Sequence, residues 1–428
     1  MTYPEAIDWL YSQLPMFESQ GAGAYKPGLD TTRELARRFG NPQDFWPSVH
    51  IAGTNGKGST ASTLAAIFSS AGYKTALYTS PHLVDFRERM RVDGVMPPEE
   101  FVIDFINEYI SGKSHGLSPT FFELTTVMAF QWFRLNNVDI AMVETGLGGR
   151  LDSTNIITPE LAVVTNVSMD HMAQLGDTRA KIASEKAGIF KHCPALVGEK
   201  DAETADVYRR SAAAAGATLF FTPDIQHLSA TEKDGAWDYE YEFISAGGIV
   251  STEHAHGSLS GPFQPRNAAI VTAALNILRP KYDISADAIA RGFAGVEALT
   301  GLAGRWQKAS YKSRQIIVDC GHNEGAWAIN GPRLQAMASA QPVTAVLGFV
   351  ADKDLSAVAA YLPDNMRYIF TAPCSPRASA PEATRDAMKK PGECFGTVAE
   401  ALDRAIENEG IIFVGGSCYL AGDVLGLL

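Results

Sequence analysis

Short apolar segments alternate with longer amphipathic segments along most of this 428-residue chain. The apolar segments are brief and rich in β-branched residues, which favours buried strands over helices. Strands that alternate with helices form right-handed βαβ units, so the sequence predicts an α/β fold with a mainly parallel sheet. In such sheets, ligands bind at the carboxyl ends of the strands.

The predicted elements form two groups, with a boundary near residue 300. In the first group we predict strands at residues 47–53, 74–80, 138–144, 161–167 and 194–199. The helices predicted there lie at residues 57–71, 98–110, 122–135, 179–187 and 267–278. Between them, residues 228–259 are typical of a small antiparallel excursion, and the Gly-rich segment 292–306 is interpreted as a hinge. The second group has predicted strands at residues 315–321, 343–349, 367–372 and 411–416. The resulting hypothesis is an N-terminal domain at residues 1–298 and a smaller α/β domain at residues 299–428.

The segment HIAGTNGKGST, residues 50–60, follows a predicted strand and opens a predicted helix. Its glycines let the backbone approach a phosphate closely, and the N–H groups of the helix start point at the anion. Lys57 adds a positive charge, and Ser59 or Thr60 could support phosphate or magnesium. The segment therefore predicts a phosphate-binding loop, with a glycine-rich turn that binds no ligand as the alternative.

Polar residues follow three other predicted strands. Ser80 and Glu144 end two of them, and the pair Asp170–His171 follows a third. Because the carboxyl ends of parallel strands meet at one edge, these groups are candidates to hold a metal beside the loop. Taken singly, each has a simpler interpretation: a cap for Ser80, a solvated strand end for Glu144, and a surface histidine for His171.

Charge and cysteine content exclude several classes of protein. The chain has 36 lysines and arginines against 48 aspartates and glutamates, which argues against a general nucleic-acid or membrane-surface binder. Its five cysteines are scattered and never form a CxxC pair, so we expect reduced thiols rather than disulfides or structural zinc. Residues 1–14 lack the pattern of a signal peptide, and no apolar run approaches the roughly 18 residues of a membrane span. We therefore expect a cytoplasmic protein.

The motifs together resemble one family. In the order and at about the separations of the folylpolyglutamate/dihydrofolate synthases, which belong to the larger Mur ligase group, the chain contains AGTNGKGS, TSPHL…FRERMRVDG, FFE, VETGLGGRLDSTN, MDHMAQLG, SEKAGIFK and DCGHNEGA. The match runs from about residue 20 to residue 428. It departs from the family at Cys320 and Gly321, where Gly-Ala is more usual, at Gln307, where Glu is common, and within residues 24–32.

The resemblance implies an ATPase domain, a smaller C-terminal domain and an active site in the cleft between them. It implies that ATP phosphates are cradled by Asn55, Gly56, Lys57, Gly58 and Ser59. It implies further nucleotide contacts from Asn267, Arg305, Asp319 and His322. Magnesium would be held by Ser80, Glu144 and His171. Under this resemblance, His171 is a metal ligand rather than a general base.

The resemblance also implies a substrate site and a modified lysine. The pterin-bearing substrate would meet Phe121, Phe122, Glu123, Leu151, Asp152 and Ser153, and residues 28–30 are a further candidate segment. Lys186, which composition alone marks as a solvated helix charge, would carry a carbamate that ligates magnesium. A lysine that adds carbon dioxide must be neutral, so its pKa must fall from about 10.4.

The implied reaction joins L-glutamate to a carboxylate, with ATP and Mg²⁺, on dihydropteroate, on a folyl-polyglutamate, or on both. Phosphorylation of the carboxylate gives an acyl phosphate, which the amine of glutamate attacks. The resemblance assigns catalytic roles to Lys57, Lys186 and His171. The expected partners are the small-molecule substrates, and the protein is expected to be a monomer. The alternatives are a Mur-type ligase acting on a peptidoglycan precursor and an NTPase that needs no acyl acceptor.

Overall fold

The computed structural model describes residues 1–15, 28–244 and 248–428. The chain divides into two compact units. The first comprises Met1–Pro81, Phe86–Ser258 and Gln264–Leu302, and the second comprises His82–Asp85, Leu259–Phe263 and Ala303–Leu428. The functional roles assigned to residues 1–298 and 299–428 stay predictions. Residues 24–27 of the segment that departs from the family lie outside the described residues.

The first unit is built on a sheet of seven strands within the described residues. These are β1 Ser48–Ala52, β2 Thr75–Tyr78, β3 Met90–Val92, β4 Ile140–Glu144, β5 Leu161–Val164, β6 Ala195–Val197 and β7 Leu219–Phe221. Their order is β3-β2-β4-β1-β5-β6-β7, and all neighbours are parallel except β2 and β3. The mainly parallel sheet predicted from the sequence is confirmed.

Helices connect and cover these strands. In chain order they are α1 Tyr3–Gln13, α2 Asp30–Arg38, α3 Lys57–Ser70, α4 Glu99–Glu108, α5 Phe121–Leu135, α6 Met172–Leu175, α7 Arg179–Ala187, α8 Ala205–Ala215, α9 Thr222–Ile225, α10 Gln264–Leu278, α11 Ala286–Ala294 and α12 Val296–Thr300. The predicted hinge segment, residues 292–306, thus contains the end of α11 and all of α12, while its role as a hinge stays a prediction.

The central strand β1 is buried along its whole length, and α3 follows it after a loop of four residues. Helix α3 carries small and apolar residues and is buried through most of its length, packing in the core with β1 and β4. The chain passes from β1 toward β2 on one side of the sheet and from β5 toward β6 on the other. The carboxyl ends of β1 and β5 therefore form the switch point at which sheets of this kind bind ligands.

A second sheet of the first unit is antiparallel, as predicted for residues 228–259. Its strands are β8 Leu228–Lys233, β9 Ala236–Ile244 and β10 Val250–Gly257, in the order β10-β9-β8. Tyr239 and Tyr241 of β9 point into the core, whereas alternate residues of the strand are exposed. This alternation is the pattern of a sheet with one buried face.

The second unit has its own sheet, in the order β11-β12-β16-β13-β14-β15. The strands are β11 Gln307–Tyr311, β12 Arg314–Asp319, β13 Val343–Leu347, β14 Arg367–Thr371, β15 Gly392–Phe395 and β16 Ile411–Gly415. The helices are α13 Glu324–Ala340, α14 Leu355–Ala359, α15 Pro381–Met388, α16 Val398–Ile406 and α17 Cys418–Gly426. Only the β11–β12 pair is antiparallel among these described strands, so the second α/β group is confirmed.

Within the parts of the chain that the structure describes, no helix is both long and apolar enough to cross a membrane.

Candidate active site

The loop between β1 and α3 contains two glycines that no other residue could replace without strain or clash. Gly53 has a φ of 154° and Gly56 a φ of 83°, in the region that favours glycine. A Cβ atom on Gly53 would lie 1.8 Å from Thr165 Oγ1, and one on Gly56 would lie 2.4 Å from Asn267 Oδ1. The loop is therefore shaped by close approach from the end of β5 and from α10.

Hydrogen bonds fix this loop to the segment that follows β5. The backbone N–H of Asn55 donates to Asn166 Oδ1 at 3.0 Å, and Asn166 Nδ2 donates back to the Asn55 carbonyl at 2.9 Å. Thr165 Oγ1 donates to the same carbonyl at 2.6 Å. The N–H of Ser168 donates to Thr54 Oγ1 at 3.1 Å. These bonds hold the loop rigid at the switch point of the sheet.

The first turn of α3 is available to an anion. Because Gly56 has no side chain, the helix begins without a side-chain cap at that position, and the N–H groups of its first turn carry partial positive charge. The hydroxyls of Ser59 and Thr60 are buried in this turn and form no hydrogen bond with any described residue. Buried polar groups are rarely left unpaired, so a ligand at this position would supply the missing partners.

Residues at the ends of two neighbouring strands, β2 and β4, lie beside the loop. Lys57 Nζ lies 3.8 Å from Glu144 Oε1 and donates to the Thr54 carbonyl at 3.3 Å. The backbone N–H of Ser80, just after β2, donates to Glu144 Oε2 at 3.3 Å. Glu144 is only 4% exposed, so its interpretation as a solvated strand end is wrong. The ends of β1, β2 and β4 thus bring Lys57, Ser80 and Glu144 together.

His171 lies on the segment after β5 that also holds the loop. It precedes α6 with a left-handed φ of 50°, and its backbone N–H donates to Asp170 Oδ1 at 2.9 Å. Its ring Nε2 lies 3.9 Å from the same carboxylate oxygen. The separation of 3.9 Å is longer than a hydrogen bond, so this contact alone does not fix the ring.

The side chains predicted to bind magnesium are Ser80, Glu144, His171 and Lys186, and their oxygen and nitrogen atoms suit a hard divalent cation. Among residues 1–15, 28–244 and 248–428, no three or more His, Cys, Asp and Glu side chains form a group that could hold a metal. The set predicted here does not depend on such a group, because Ser80 would contribute a hydroxyl and Lys186 would contribute a carbamate. The unpaired hydroxyl of Ser59 and the buried carboxylate of Glu144 are oxygen ligands of the kind magnesium prefers.

Lys186 is buried beside the loop rather than solvated. Its side chain lies near the end of α7, is 3% exposed, and Nζ donates to the Gly53 carbonyl at 2.9 Å. Burial, with a smaller effect from Lys57, lowers the pKa of Lys186 to about 7. The interpretation from composition alone, a solvated helix charge, is therefore wrong. With this pKa, a substantial fraction of the side chain near neutral pH is the neutral amine that carbamate formation requires.

A buried chain of hydrogen bonds leads away from Asp152. Its carboxylate accepts bonds from the N–H groups of Leu147 at 2.8 Å and Thr154 at 3.0 Å, and from the Thr154 hydroxyl. His50 Nε2 lies 2.8 Å from that hydroxyl. Burial raises the pKa of Asp152 and lowers the pKa of His50 to about 3, so the imidazole is neutral. Sequence reasoning missed His50, although it stands inside the first motif.

The other residues of the predicted substrate site differ in exposure. Phe121 is 2% exposed in the core and packs against Phe86 with ring centroids 5.9 Å apart. Phe122 is half-buried and lies against Gly146 in the segment after β4. Glu123 closes a capping box, accepting from the Thr120 N–H at 2.7 Å, and also accepts from Thr32 Oγ1 at 3.1 Å. Glu123 thus has a demonstrated structural role.

Residues 151–153 follow β4, where Asp152 and Ser153 are buried and Leu151 is half-buried. Asp152 caps the short 3₁₀ turn Ser153–Ile156. Asp30, at the end of the candidate segment 28–30, is the first residue of α2. Substrate contacts from all of these residues stay predictions.

The other residues predicted to contact the nucleotide are divided between the two units. Asn267, in α10 of the first unit, is 5% exposed and donates to Gln264 Oε1 at 3.0 Å. In the second unit, buried Asp319 accepts from the N–H groups of Trp306 at 3.0 Å and Gly321 at 2.9 Å. Arg305 precedes that tryptophan, and burial raises the pKa of Asp319 while Arg305 opposes the increase. His322 Nδ1 lies 3.0 Å from the Cys320 carbonyl oxygen. Their nucleotide contacts stay predictions.

Sequence reasoning also missed Thr165 and Asn166, which hold the phosphate loop. The signal was available: TNVS follows the apolar run of β5, and polar side chains at a strand end commonly serve a neighbouring loop. What no pattern could show is that their partner is the loop after β1, because this pairing depends on the order of strands in the sheet.

Comparison with known proteins agrees with this geometry. A family model described as the Mur ligase middle domain matches residues 51–275, and one described as the Mur ligase glutamate ligase domain matches residues 304–418. The dihydrofolate synthase/folylpolyglutamate synthase of Escherichia coli (strain K12) is 34% identical over 438 residues, covering 99% of this chain and 97% of that protein.

Solved structures give the same result. The structure described as E. coli FolC in complex with DHPP and ADP is similar with a TM-score of 0.86 and 32% identity, covering 100% of this chain and 97% of that one. A bifunctional folylpolyglutamate synthase/dihydrofolate synthase with Mn, AMPPNP and L-glutamate bound is similar with a TM-score of 0.82 and 27% identity, covering 100% and 98%.

Proposed function

Because the chain belongs to the dihydrofolate synthase/folylpolyglutamate synthase family of Mur ligases, we propose that it uses ATP to join L-glutamate to a pterin-bearing carboxylic acid. It is an ATP-dependent acid–amino-acid ligase. The acid is dihydropteroate, a folyl-polyglutamate, or both. The observation that carries the proposal is the rigid glycine loop at the start of α3, with Lys57 beside Glu144 and unpaired hydroxyls in the first helical turn.

The loop binds and orients the phosphates of ATP. The N–H groups of the first turn of α3 point to the anion, and Lys57 neutralises charge on the transferred phosphoryl group. The ion pair with Glu144 keeps the Lys57 ammonium at the loop. Since the bonds from Thr165 and Asn166 hold the loop backbone in place, little reorganisation accompanies phosphoryl transfer.

The carboxylate of the substrate is a poor acyl donor, because oxide is a poor leaving group. Attack of a carboxylate oxygen on the γ-phosphorus gives an acyl phosphate and ADP. The neutral amine of L-glutamate then attacks the acyl carbon, and the tetrahedral intermediate collapses to an amide and phosphate. The chain contributes mainly by positioning the reactants and stabilising negative charge.

Ser80, Glu144 and His171 would hold the divalent cation, and a bound Mg²⁺ supplies charge neutralisation at the phosphates. Lys186 would add a fourth ligand as its carbamate. The support for that step is the burial of Lys186 and its pKa of about 7, which leave a neutral amine able to add carbon dioxide. The carbamate and the individual ligands are proposals.

The proposal also includes a monomeric enzyme that acts in the cytoplasm. The scattered, unpaired cysteines suit a reducing compartment. The first unit would carry the ATP site, and residues 304–418 of the second, which match the glutamate ligase domain, would complete the ligase. Light scattering tests the assembly: a mass close to 46.0 kDa is expected, and about twice that mass would refute a monomer.

The most direct test offers the protein ATP, Mg²⁺ and labelled L-glutamate with either dihydropteroate or tetrahydrofolate. Label should enter a folate product, and one ADP should form for each glutamate joined. Product with only one of the acids defines a single activity, and product with both defines a bifunctional enzyme. ADP release that is indifferent to both acids and to glutamate would refute the proposed function in favour of a simple NTPase.

A further inference from the structure

Two cysteines of the second unit belong to one packed region although they are distant in the sequence. Cys320 is buried directly after β12, and Cys418 is the half-buried first residue of α17. The parallel pairing of β12 with β16 places Asp319 opposite Gly415, which brings the two strand ends together. Cys418 packs against the buried core cluster that contains Cys320, and both cysteines are free.

The surroundings make the two thiols chemically different. Interaction with the Cys320 thiol lowers the pKa of Cys418 well below its ordinary value; burial opposes this decrease, and His322 and Arg305 add to it. The same interaction raises the pKa of Cys320, with burial adding to the increase. A thiolate at a helix N-terminus next to cationic groups is a reactive nucleophile. Cys418 therefore has the properties of an attacking thiol, and Cys320 has the position of a resolving one.

Cys320 is also tied to residues predicted to contact the nucleotide. Its N–H donates to the Gly304 carbonyl at 3.0 Å, and its carbonyl lies 3.0 Å from His322 Nδ1. A Cβ atom on Gly304 would lie only 2.8 Å from Cys320 Sγ, so the sulfur fills the space beside the residue that precedes Arg305. A shift of the Cys320 backbone would therefore alter its contacts with Gly304 and His322.

We propose that Cys320 and Cys418 form a dithiol site that peroxides convert reversibly to a disulfide, and that the disulfide slows the ligase. The effect on rate rests on the proposed function, because it acts through Arg305 and His322. Disulfides are rare in reducing compartments except where they are transient and redox-sensing, which is the role assigned here.

The chemistry balances with one hydrogen peroxide per disulfide. The Cys418 thiolate attacks one peroxide oxygen, the O–O bond breaks, and the products are a sulfenic acid and hydroxide, which takes up the proton released when Cys418 ionised. The thiol of Cys320 then attacks the Cys418 sulfur, forming the S–S bond and releasing a second water. Two electrons pass from the two sulfurs to the peroxide.

The disulfide must alter the local backbone. An S–S bond is about 2.0 Å long, shorter than any thiol–thiol hydrogen bond. Because the core around Cys320 and Ala421 is closely packed, the shift falls on the Cys320 backbone and on its bonds to Gly304 and His322. Misplacing catalytic contacts by about 1 Å can cost up to about a hundredfold in rate.

The test treats the full chain with hydrogen peroxide and follows two readouts. Peptide mass mapping should show a Cys320–Cys418 linked peptide that has lost two hydrogens. The rate of glutamate-dependent ADP release should fall by at least about tenfold. Dithiothreitol should remove the link and restore the rate.

Matched variants separate this site from general oxidation. Cys418→Ser should keep the untreated rate and resist peroxide, whereas Cys374→Ser, which removes an exposed thiol elsewhere, should stay sensitive. The inference is wrong if Cys374 is oxidised while no linked peptide forms, or if the link forms and the rate is unchanged. A chain that forms the link but never ligates glutamate refutes the proposed function and the effect on rate together, and leaves the linkage as an independent result.

Discussion

The two ends of helix α3 differ sharply, although each adjoins a glycine with left-handed backbone. At the C-terminal end, Gly72 is exposed, and the last carbonyls accept bonds from the N–H groups of Ala71, Gly72 and Tyr73. At the N-terminal end, Gly56 is pressed against Asn267, and two buried hydroxyls have no partner among the described residues. The C-terminal end satisfies its own backbone groups, whereas the N-terminal end has buried polar groups that a bound ligand would satisfy.

Glycine and lysine occur at both ends of α3, but we assign a function to them only at the N-terminal end. Both ends also carry a lysine: Lys57 begins the helix beside buried Glu144, and Lys74 stands exposed just beyond its end. Residue type alone does not distinguish the two ends. Burial, close approach and unpaired polar atoms do.

The largest effect is expected from Lys57→Ala. Removing the ammonium from the phosphate loop should lower glutamate-dependent ADP release by roughly 10³ or more, because charge neutralisation at the transferred phosphoryl group is lost. Lys74→Ala makes the same change at the other end of the helix and should leave the rate unaltered. Steady-state assays of both variants make the comparison. Near-normal turnover by Lys57→Ala would show that the N-terminal end is not the ATP site.

The second prediction concerns the two glycines. Gly56→Ala should lower the rate by about a hundredfold, because the added methyl displaces the buried side chain of Asn267 from the loop. Gly72→Ala meets open space, so it should cost only backbone strain of about 1–2 kcal/mol in the free energy of unfolding. Thermal unfolding and ADP release should be measured on both variants. Equal loss of rate in the two would mean that strain alone, rather than the crowding at Gly56, explains the effect.

Much of this contrast could be predicted from the sequence, and part of it could not. The strand–loop–helix order and the glycines of residues 50–60 predict the phosphate loop, because they are local in the chain. The strands β3, β7, β11 and β15 were missed, and each of them lies at an edge of its sheet. The unpaired state of Ser59 and the burial of Lys186 arise from residues distant in the chain, so no local pattern contains them.

The third prediction uses pH to test the burial of Lys186 against the exposure of Lys74. The folded chain lowers the pKa of Lys186 from 10.5 to about 7, so between these values the unfolded chain binds more protons. Stability should therefore rise with pH from about 7 to about 10.5 and lose this dependence below 7. Lys186→Met removes the cost of burying the amine, and its advantage over the unsubstituted chain should grow by about 4 kcal/mol as pH falls from 10.5 to 7.

Denaturant unfolding in buffer depleted of carbon dioxide, over pH 7 to 10, measures this difference. Lys74→Met provides the control, because it removes a lysine that is exposed rather than buried. A constant offset for Lys186→Met would mean that the amine keeps its ordinary pKa in the folded chain. The carbamate proposal would then lose its physical basis, whereas the assignment of the phosphate loop would not.

The smallest effect is expected from Ser59→Ala, which tests what an unpaired hydroxyl at the N-terminal end is for. If the hydroxyl serves only the fold, its removal should stabilise the chain or leave it unchanged, because no hydrogen bond to a described residue is broken. If it supports phosphate or the cation, the rate should fall by about tenfold, the equivalent of about 1.4 kcal/mol in the transition state, while stability is kept. Ser69→Ala, near the other end, removes a surface hydroxyl that donates to Asp93 and should alter neither quantity appreciably. A stable Ser59→Ala variant with full activity would show that an incomplete helix end is no evidence for this hydroxyl as a ligand, so the contrast between the two ends would rest on Lys57 and Gly56 alone.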